Sequence, residues 1–395
     1  MSQLNSKVMP RAIHVVPSLD RADGGLPLAA YQLSEALAKS ARYEIELISQ
    51  LGKNQKAVGT ASADFIIEYE CVEDTDFSLG LPVKIMLGGT STPSNPNLIH
   101  SHGIWNLANH WASLYGRNLQ IPYVFSPHGM LEPWALEQSW FKKAIGLITY
   151  QRRDLESATL FCATSEGEYN SLRALGYRQP IAVIPNGVAA SQQRMMGEKR
   201  MHDSRRHQLL YLSRIHKKKG IEELIYAWAK IRPNNWELVI AGGDGGDGYR
   251  QKMINLCEGL KLAQSIRFTG EVYASAKDRL YAEADLFILP SHSENFGLVV
   301  AEALSFGLPV ITTRATPWGE IANQECGWVI DNDVDSIVSC LNVALNTTVS
   351  ERNKMGLHAT KYAAKFNWDG IALQMADVYD WVLGNAAMPG CIRLN

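Results

Sequence analysis

The feature that most constrains this chain is a regular alternation of short apolar runs with helical segments, which occurs twice along the sequence. Strand, helix and strand in that order are typical of βαβ units, whose strands are parallel and buried on both faces. The pattern predicts strands at residues 12–16, 43–48, 97–100, 123–125, 159–163 and 181–184, and again at 209–212, 236–241, 266–268, 286–289 and 310–312.

We therefore predict an α/β protein with two Rossmann-like domains, which suits a chain of 395 residues. Turn residues at 185–187 end the first repeat, and a polar, basic stretch at 188–207 is typical of a linker. Residues 50–96 fit the pattern poorly and are the least certain part of this interpretation.

The domain boundaries follow from the same pattern. We place an N-terminal domain at residues 1–187 and a C-terminal domain at residues 188–375. The last segments are helical without an intervening strand, so we expect the final helix, at about residues 376–395, to join the N-terminal domain.

Composition excludes several classes of protein. A formal net charge of −2 provides no strongly basic face for duplex nucleic acid, so no nucleic acid is expected as a partner. The six cysteines are scattered, which favours reduced thiols over a disulfide framework. The sequence shows no signal-peptide core and no apolar run of about 18 residues. We therefore expect a cytoplasmic protein, with peripheral membrane contact left open.

The most informative motif contains Glu294, Asn295, Phe296, Gly297 and Glu302, directly after an apolar predicted strand. We expect a helix to begin at Phe296 or Gly297, where unpaired N–H groups and partial positive charge suit a phosphate or a sugar hydroxyl. Glu294 can accept hydrogen bonds from sugar hydroxyls. Glu302 lies among apolar residues and must be paired or solvated. An ordinary capped helix with an exposed face explains the spacing equally well.

A second motif, after the predicted strand at 209–212, places Arg214 and Lys219 around a turn that ends at Gly220. A guanidinium matches phosphate oxygens and an ammonium supplies a point charge. Together they would neutralise a diphosphate leaving group. The alternative is a solvated basic turn.

Two shorter motifs end strands of the N-terminal half. His128 is followed by Gly129 just past the strand at 123–125, and Gly24 and Gly25 follow the first strand. Glycines at such positions let the backbone approach a ligand. Taken singly, a structural histidine and a simple turn are the commoner explanations.

Two further patterns suggest other chemistries and fit poorly. His100 and His102 are spaced like zinc ligands, but no third or fourth ligand has a sensible spacing, so we expect no metal. Residues 243–248 match GxGxxG, but they follow the second strand of their domain and lack a clear acid about twenty residues on. A dinucleotide-dependent enzyme is therefore disfavoured.

Taken together, these motifs resemble the retaining glycosyltransferases of family 4, which have the GT-B architecture of two Rossmann-like domains facing each other across a cleft. The resemblance covers nearly the whole chain in the expected order. The stretch at 127–136 is similar to a bacterial subgroup that builds exopolysaccharides, which includes enzymes of cyanobacterial heterocyst envelope polysaccharide. The matching residues are Gly24-Gly25, His128, residues 184–188, Arg214 with Lys219, and Glu294 with Glu302 at E-x7-E spacing.

The resemblance implies a role for each of these residues in binding a nucleotide sugar. It assigns the diphosphate to Arg214 and Lys219, with Gly24 and Gly25 also near the phosphates. It assigns the ribose to Glu302 and the base to the backbone of Val272. The sugar hydroxyls are assigned to Glu294 and the backbone of Asn295, Phe296 and Gly297, and the region near the C6 hydroxyl of the transferred sugar to His128.

The resemblance also implies the chemistry. Transfer would retain the anomeric configuration without a metal ion or any cofactor besides the nucleotide diphosphate sugar, for which UDP, as in UDP-glucose, is favoured. The leaving phosphate would act as the base, so no protein nucleophile is named. The acceptor would be a glycan or a lipid-linked oligosaccharide of bacterial polysaccharide biosynthesis.

Residues 137–156 combine aromatic and basic side chains in one helical stretch. Such a helix can lie on an anionic lipid surface, here the inner face of the cell membrane, although an ordinary amphipathic core helix has the same pattern. Two alternatives to a glycosyltransferase stay open: another GT-B enzyme, such as a nucleotide-sugar epimerase or a phosphorylase, and a nucleotide-sugar binding protein without turnover.

Overall fold

The computed structural model describes residues 9–52, 55–59, 66–72, 79–88, 95–138, 140–189, 206–246 and 248–394. They form two compact units. The first comprises the described residues up to Gly187 together with those from Trp368 onward, and the second is Val188–Asn367. Each unit is built on a sheet of parallel strands connected by helices, which confirms two Rossmann-like domains.

The sheet of the first unit has the order β7-β6-β5-β4-β1-β2-β3, with all seven strands parallel. The C-terminal strand Ile392–Arg393 adds to β7 in antiparallel orientation. The strands are β1 (Arg11–Val15), β2 (Glu44–Gly52), β3 (Ile66–Val72), β4 (Leu98–His102), β5 (Tyr123–Ser126), β6 (Leu160–Ala163) and β7 (Ile181–Val183).

The helices of the first unit are α1 (Gly25–Lys39), α2 (Leu81–Gly88), α3 (Leu107–Leu119), α4 (Pro133–Glu137), α5 (Trp140–Gly146), α6 (Arg152–Glu156) and α7 (Glu166–Ala174). The helical stretch expected at 137–156 is interrupted by the π-helix Leu147–Gln151 between α5 and α6. Gln151 is buried there, and its side-chain carbonyl accepts the backbone N–H of Trp105 at 3.3 Å. A local π-turn often reflects such a tertiary contact, which helical periodicity does not reveal.

The sheet of the second unit has the order β10-β9-β8-β11-β12-β13 and is parallel throughout. Its last strand was not predicted: it is only four residues long, begins with Gly327 and is half-buried. The strands are β8 (His207–Leu212), β9 (Trp236–Ala241), β10 (Ile266–Gly270), β11 (Leu286–Leu289), β12 (Val310–Thr313) and β13 (Gly327–Ile330). The helices are α8 (Ile221–Ile231), α9 (Tyr249–Gly259), α10 (Ala274–Glu283), α11 (Leu298–Ser305), α12 (Val334–Ala344) and α13 (Val349–Ala363).

The last helix, α14 (Trp368–Val382), belongs to the first unit along its whole length. The predicted boundary near residue 376 therefore falls too late, since it would divide one continuous helix. Ile371, Met375 and Tyr379 of α14 are buried in the core of the first unit, and α14 packs against α1.

Two expectations concern residues that are only partly described. Residues 190–205 of the basic linker lie outside the described part of the chain, and within 50–96 the structure describes β3 and α2 but not residues 53–54, 60–65, 73–78 or 89–94. Among the described helices, none combines the length and the apolar character that crossing a bilayer requires.

Candidate functional site

Several of the predicted site residues lie where the connections of each sheet change direction. In the second unit, β8 and β11 lie side by side although two strands intervene in the sequence. In the first unit, β1 and β4 occupy the corresponding position. Ligands of such sheets bind outside the carboxyl ends of the strands at this switch point. The loops that carry Arg214, Lys219 and Glu294 follow β8 and β11.

Gly220 lets these two loops approach each other closely. It follows the 3₁₀ helix Lys217–Lys219 and has a φ of +65°. A Cβ atom at Gly220 would lie 1.9 Å from the carbonyl oxygen of Pro290. The left-handed backbone and this contact both require glycine. At the start of the same turn, Nδ1 of His216 accepts the backbone N–H of Lys218 at 3.1 Å, which fixes the turn.

Lys219 and Glu294, predicted from separate motifs, form an ion pair between the loops. Their side chains are only 17% and 9% exposed, so the pair is largely shielded from water. The hydroxyl of Ser291 donates to the same carboxylate oxygen at 2.8 Å. Arg214 is exposed and forms no ion pair with any residue that the structure describes. Its charge is therefore open to an anionic ligand.

Glu302 is paired within the protein, as its apolar surroundings require. The ammonium of Lys277 lies 2.6 Å from Oε1, and the hydroxyl of Tyr281 donates to Oε2 at 2.8 Å. Burial raises the pKa of Tyr281 well above its usual value, which keeps this hydroxyl protonated. Lys277 and Tyr281 lie four residues apart on one face of α10. Sequence reasoning missed both, because local spacing does not show which helix faces Glu302.

The helix expected to start at Phe296 or Gly297 begins at Leu298, with Gly297 as its N-cap at φ +78°. No side chain caps this start. Phe296 is buried, and its carbonyl oxygen accepts the indole N–H of Trp318 at 2.5 Å. Asn295 is half-buried. The N–H of Val300 already donates to the carbonyl oxygen of Gly297 at 2.8 Å, so a ligand at this helix start would meet the N–H groups of Leu298 and Val299.

Val272 lies in the loop between β10 and α10 and packs, half-buried, against the core of the second unit. Next to it, the exposed hydroxyl of Tyr273 donates to Glu271 at 2.9 Å. The loop is at the carboxyl end of its strand, the edge of the sheet where Arg214 also lies.

The glycine-rich stretch after β9 has a packing explanation. A Cβ atom on Gly242 would lie 1.8 Å from the carbonyl oxygen of Ser213, and one on Gly243 would lie 2.0 Å from the carboxylate of Glu271. These glycines let neighbouring strand-end loops pack tightly. Asp247, within the GxGxxG pattern, lies outside the described residues.

In the first unit, His128 occupies a strained turn after β5. Its φ is +54°, and Gly129 follows at +76°. A left-handed conformation is uncommon for a residue with a Cβ atom, although histidine adopts it more readily than most. The carboxylate of Glu168 holds the turn by accepting the N–H of Gly129 at 2.5 Å and the N–H of Thr164 at 2.7 Å. Sequence reasoning missed this contact, which joins residues 39 positions apart.

The protonation of this turn follows from burial. Burial lowers the pKa of His128 to about 4, so its imidazole is neutral at physiological pH. Burial also raises the pKa of Glu168 to about 7, although the N–H groups that it accepts act against this. His128 lines a small cavity together with Thr164, Pro185 and Asn186. The predicted motifs at His128 and at residues 184–188 of the first unit therefore meet at this cavity.

Gly24 and Gly25 follow β1, the strand at the switch point of the first unit. Gly24 is the N-cap of α1 at φ +88°, and Gly25 is the first residue of that helix. The left-handed φ explains why glycine occupies position 24.

His14 provides the third neighbour that the spacing of His100 and His102 did not reveal. All three are buried, and their ring nitrogens lie within 4.8 Å of one another. His14 on β1 is the register partner of His100 on β4, so strand pairing creates the group. Burial lowers the pKa of His14 to about 3 and those of His100 and His102 well below their usual value. All three imidazoles are therefore neutral at physiological pH.

Comparison with known proteins identifies the family of the chain. The model "Glycosyltransferase Family 4" matches residues 23–192, and the model "Glycosyl transferases group 1" matches residues 195–362. The two matches follow one another along the chain, one over each Rossmann-like part. The chain thus belongs to the family 4, group 1 glycosyltransferases, which have the GT-B fold.

Two relatives illustrate the similarity in sequence. An uncharacterised glycosyltransferase of Methanocaldococcus jannaschii is 33% identical over 43% of this chain, a match that spans 44% of that protein. A glycogen synthase of Mycobacterium tuberculosis is 26% identical over 76% of this chain and 72% of its own length.

Solved structures show the same fold. Sucrose-phosphate synthase from Thermosynechococcus elongatus aligns with a TM-score of 0.75 at 22% identity, covering 95% of this chain and 100% of that one. The Anabaena protein HepE in complex with UDP and glucose aligns with a TM-score of 0.71 at 19% identity, covering 94% and 100%.

Proposed function

We propose that this glycosyltransferase moves a hexose from a UDP-sugar, such as UDP-glucose, to a glycan or lipid-linked oligosaccharide in bacterial polysaccharide biosynthesis, with retention and without a metal ion. The observation that carries the proposal is the meeting of the β8 and β11 loops at the switch point, where Lys219 contacts Glu294. Cations, a carboxylate and an uncapped helix start there supply what a sugar diphosphate needs.

The diphosphate is assigned to Arg214 and Lys219. Arg214 offers an exposed guanidinium without an ion pair among the described residues, and Lys219 is held in place by Glu294 and by the turn before Gly220. The N–H groups at the start of α11, after Gly297, add partial positive charge. Glu294 keeps lone pairs beyond those used by Lys219 and Ser291, and these accept hydrogen bonds from sugar hydroxyls.

The nucleoside is assigned to Glu302 and the loop at Val272. Lys277 and Tyr281 fix the Glu302 carboxylate while leaving acceptor capacity for two vicinal ribose hydroxyls. The backbone of Val272 would contact the base. That the neighbour HepE was solved with UDP and glucose supports a UDP-sugar as the donor.

The pairing of the acids supports the proposed metal independence. Divalent cations at sugar diphosphates are held by unpaired carboxylates. In this site Glu294 pairs with Lys219 and Glu302 with Lys277, so cationic side chains do the neutralising. His128 is neutral, and we assign it a hydrogen bond to the transferred sugar while the leaving phosphate serves as the base. No cofactor besides the donor is needed.

For a lipid-linked acceptor, we propose that α5 and the π-helix rest on the membrane surface. Phe141, Ile145 and Ile148 are 63%, 49% and 85% exposed, and the exposed Arg152 and Arg153 follow on α6. Apolar side chains beside cations suit an anionic lipid surface. Ile148→Asp should reduce co-sedimentation with anionic liposomes at low salt, whereas Leu357→Asp, an exposed apolar residue of the second unit, should not. Equal binding of both variants would contradict this part.

Donor and chemistry are tested together. We expect UDP-sugars to raise the melting temperature more than GDP-sugars in a thermal-shift panel, and transfer to release UDP in the presence of EDTA. NMR of the product should show the donor's anomeric configuration. Stronger stabilisation by GDP-sugars would refute the UDP assignment, loss of activity in EDTA would refute metal independence, and isomerised sugar without UDP release would indicate an epimerase.

A further inference from the structure

A continuous chain of hydrogen bonds runs through the first unit and ends at His128. All of its members are side chains, and each step joins two ring nitrogens or a nitrogen and a hydroxyl. The steps are Ser126 Oγ to His100 Nε2 at 2.7 Å, His100 Nδ1 to Tyr379 OH at 2.6 Å, Tyr379 OH to His14 Nε2 at 3.0 Å, His14 Nδ1 to His102 Nε2 at 3.0 Å, and His102 Nδ1 to His128 Nε2 at 3.1 Å.

Strand pairing builds this chain. Side chains two residues apart on β4 share a face, so His100 and His102 point the same way. The register places His14 opposite His100, and Ser126 opposite His102. The helix α14 packs on this face and contributes Tyr379 between the two strands.

The chain constrains where protons reside. A neutral imidazole donates from one ring nitrogen and accepts at the other. His100, His14 and His102 are fully buried, and each uses both of its nitrogens within the chain. If the donor and acceptor of one hydrogen bond exchange roles, those of every other hydrogen bond in the chain must exchange as well. Only two arrangements satisfy every group: all histidines protonated at Nδ1, or all at Nε2.

We infer that this chain holds His128 in a single neutral tautomer, that of one of these two arrangements, and that Tyr379 is the positioning residue that couples it to His100. The Tyr379 hydroxyl accepts from one histidine and donates to the other, so it passes the donor direction from His100 to His14. The remaining ring nitrogen of His128, Nδ1, is then either a constant donor or a constant acceptor. Resting on the role proposed above for His128, this would fix how the turn after β5 meets the transferred sugar.

A bound metal ion is the competing use of the same histidines. Three nitrogens lie close enough together, but those of the interior histidines are already engaged in hydrogen bonds of 2.6 to 3.1 Å. A zinc ion would need nitrogens at about 2.0–2.1 Å from it and would break this pairing. The hydrogen-bonded chain leaves no described nitrogen of His14, His100 or His102 free.

The test is ¹⁵N NMR of the histidine rings in the full-length protein without donor. We expect the two ¹⁵N chemical shifts of the His128 ring to be those of one protonated and one unprotonated nitrogen. In Tyr379→Phe, which keeps the aromatic ring, both chemical shifts should move toward the average of the two tautomers. Ser126→Ala, at the far end, should do the same if the phenylalanine variant folds poorly. Tyr43→Phe is the matched control, since its buried hydroxyl binds Asp380 at 2.6 Å outside the chain.

Several outcomes would overturn the inference: mixed tautomers of His128 in the unaltered protein, unchanged spectra in both chain variants, or stoichiometric zinc that survives dialysis. With an active donor, Tyr379→Phe should also lower kcat by about 2- to 13-fold, the value of one hydrogen bond, with the donor KM unchanged. The NMR result needs no donor. If no nucleotide sugar is turned over, the proposed function fails while the tautomer result still decides this inference.

Discussion

The two units build their sites at the same position of similar sheets but from opposite kinds of group. In the second unit the site consists of ion pairs, Lys219 with Glu294 and Lys277 with Glu302. In the first unit it consists of buried, neutral histidines linked by hydrogen bonds. One fold can thus present charge to a diphosphate, or present uncharged donors and acceptors to a sugar. The difference lies in which side chains follow the strands.

Acid should affect the first unit most, because its histidines are neutral when folded. When the pKa of a histidine is lower in the folded than in the unfolded protein, its contribution to stability is fully present above the unfolded pKa, near 6.5. That contribution is lost as the pH falls toward the folded pKa. The pKa values of His14 and His128 are about 3 and about 4. Together these two residues lower the free energy of unfolding at pH 5 by about 4 kcal/mol relative to neutral pH. His100 and His102 change in the same direction.

Glu168 opposes part of this loss. Because its pKa is raised to about 7 in the folded protein, its contribution to stability is present at low pH and is lost as the pH rises through 7. At pH 5 this contribution raises the free energy of unfolding by about 2 kcal/mol. We expect the melting temperature to fall between pH 7.5 and pH 5. Hydrogen exchange should show β4 opening before β11. Equal protection loss in both strands would contradict the contrast between the units.

Removing the carboxylate that we assign to the sugar should affect catalysis next most strongly. Glu294→Ala is expected to lower kcat/KM by about 100-fold, since two charge-assisted hydrogen bonds at about 1.5 kcal/mol each are lost. UDP affinity by calorimetry should change less than kcat/KM, because the turn before Gly220 still holds Lys219 near the phosphates. Glu258→Ala, an exposed acid of the same unit, is the control. Unchanged turnover in the Glu294 variant would refute the sugar contact.

Lys219→Ala should weaken UDP binding by about 10- to 150-fold, because one charge-assisted contact contributes about 1.5–3 kcal/mol. Lys217→Ala removes an exposed lysine from the same turn and should change little. Isothermal calorimetry with UDP and GDP measures both variants. If the Lys219 variant binds both nucleotides normally, its role at the phosphates is wrong.

The smallest effect is expected for Tyr281→Phe, which removes one hydrogen bond to Glu302 and keeps the buried ring. UDP should bind about 2- to 13-fold more weakly, as Lys277 still holds the carboxylate. Tyr226→Phe, on an exposed tyrosine of α8, provides the comparison. Weakening of the same size in both variants would show that Glu302 does not depend on Tyr281.

Local pattern predicted much of the fold but not the partners of the site residues. The apolar runs at 236–241 and 286–289 coincide with β9 and β11, because parallel strands buried on both faces are apolar throughout. Lys219 and Glu294 were predicted individually as site residues. Their pairing was not, since it spans 75 positions. Tyr379 lies 365 residues from His14, so only the folded sheet brings them together.

The placement of α14 has a consequence for biosynthesis. The first unit takes Tyr379 and part of its core from a helix that is translated after the entire second unit. On the ribosome, the second unit therefore has all its residues available while the first still lacks a structural helix. A nascent chain halted at residue 367 would hold His14, His100 and His102 in position by strand pairing alone, with no phenol between them.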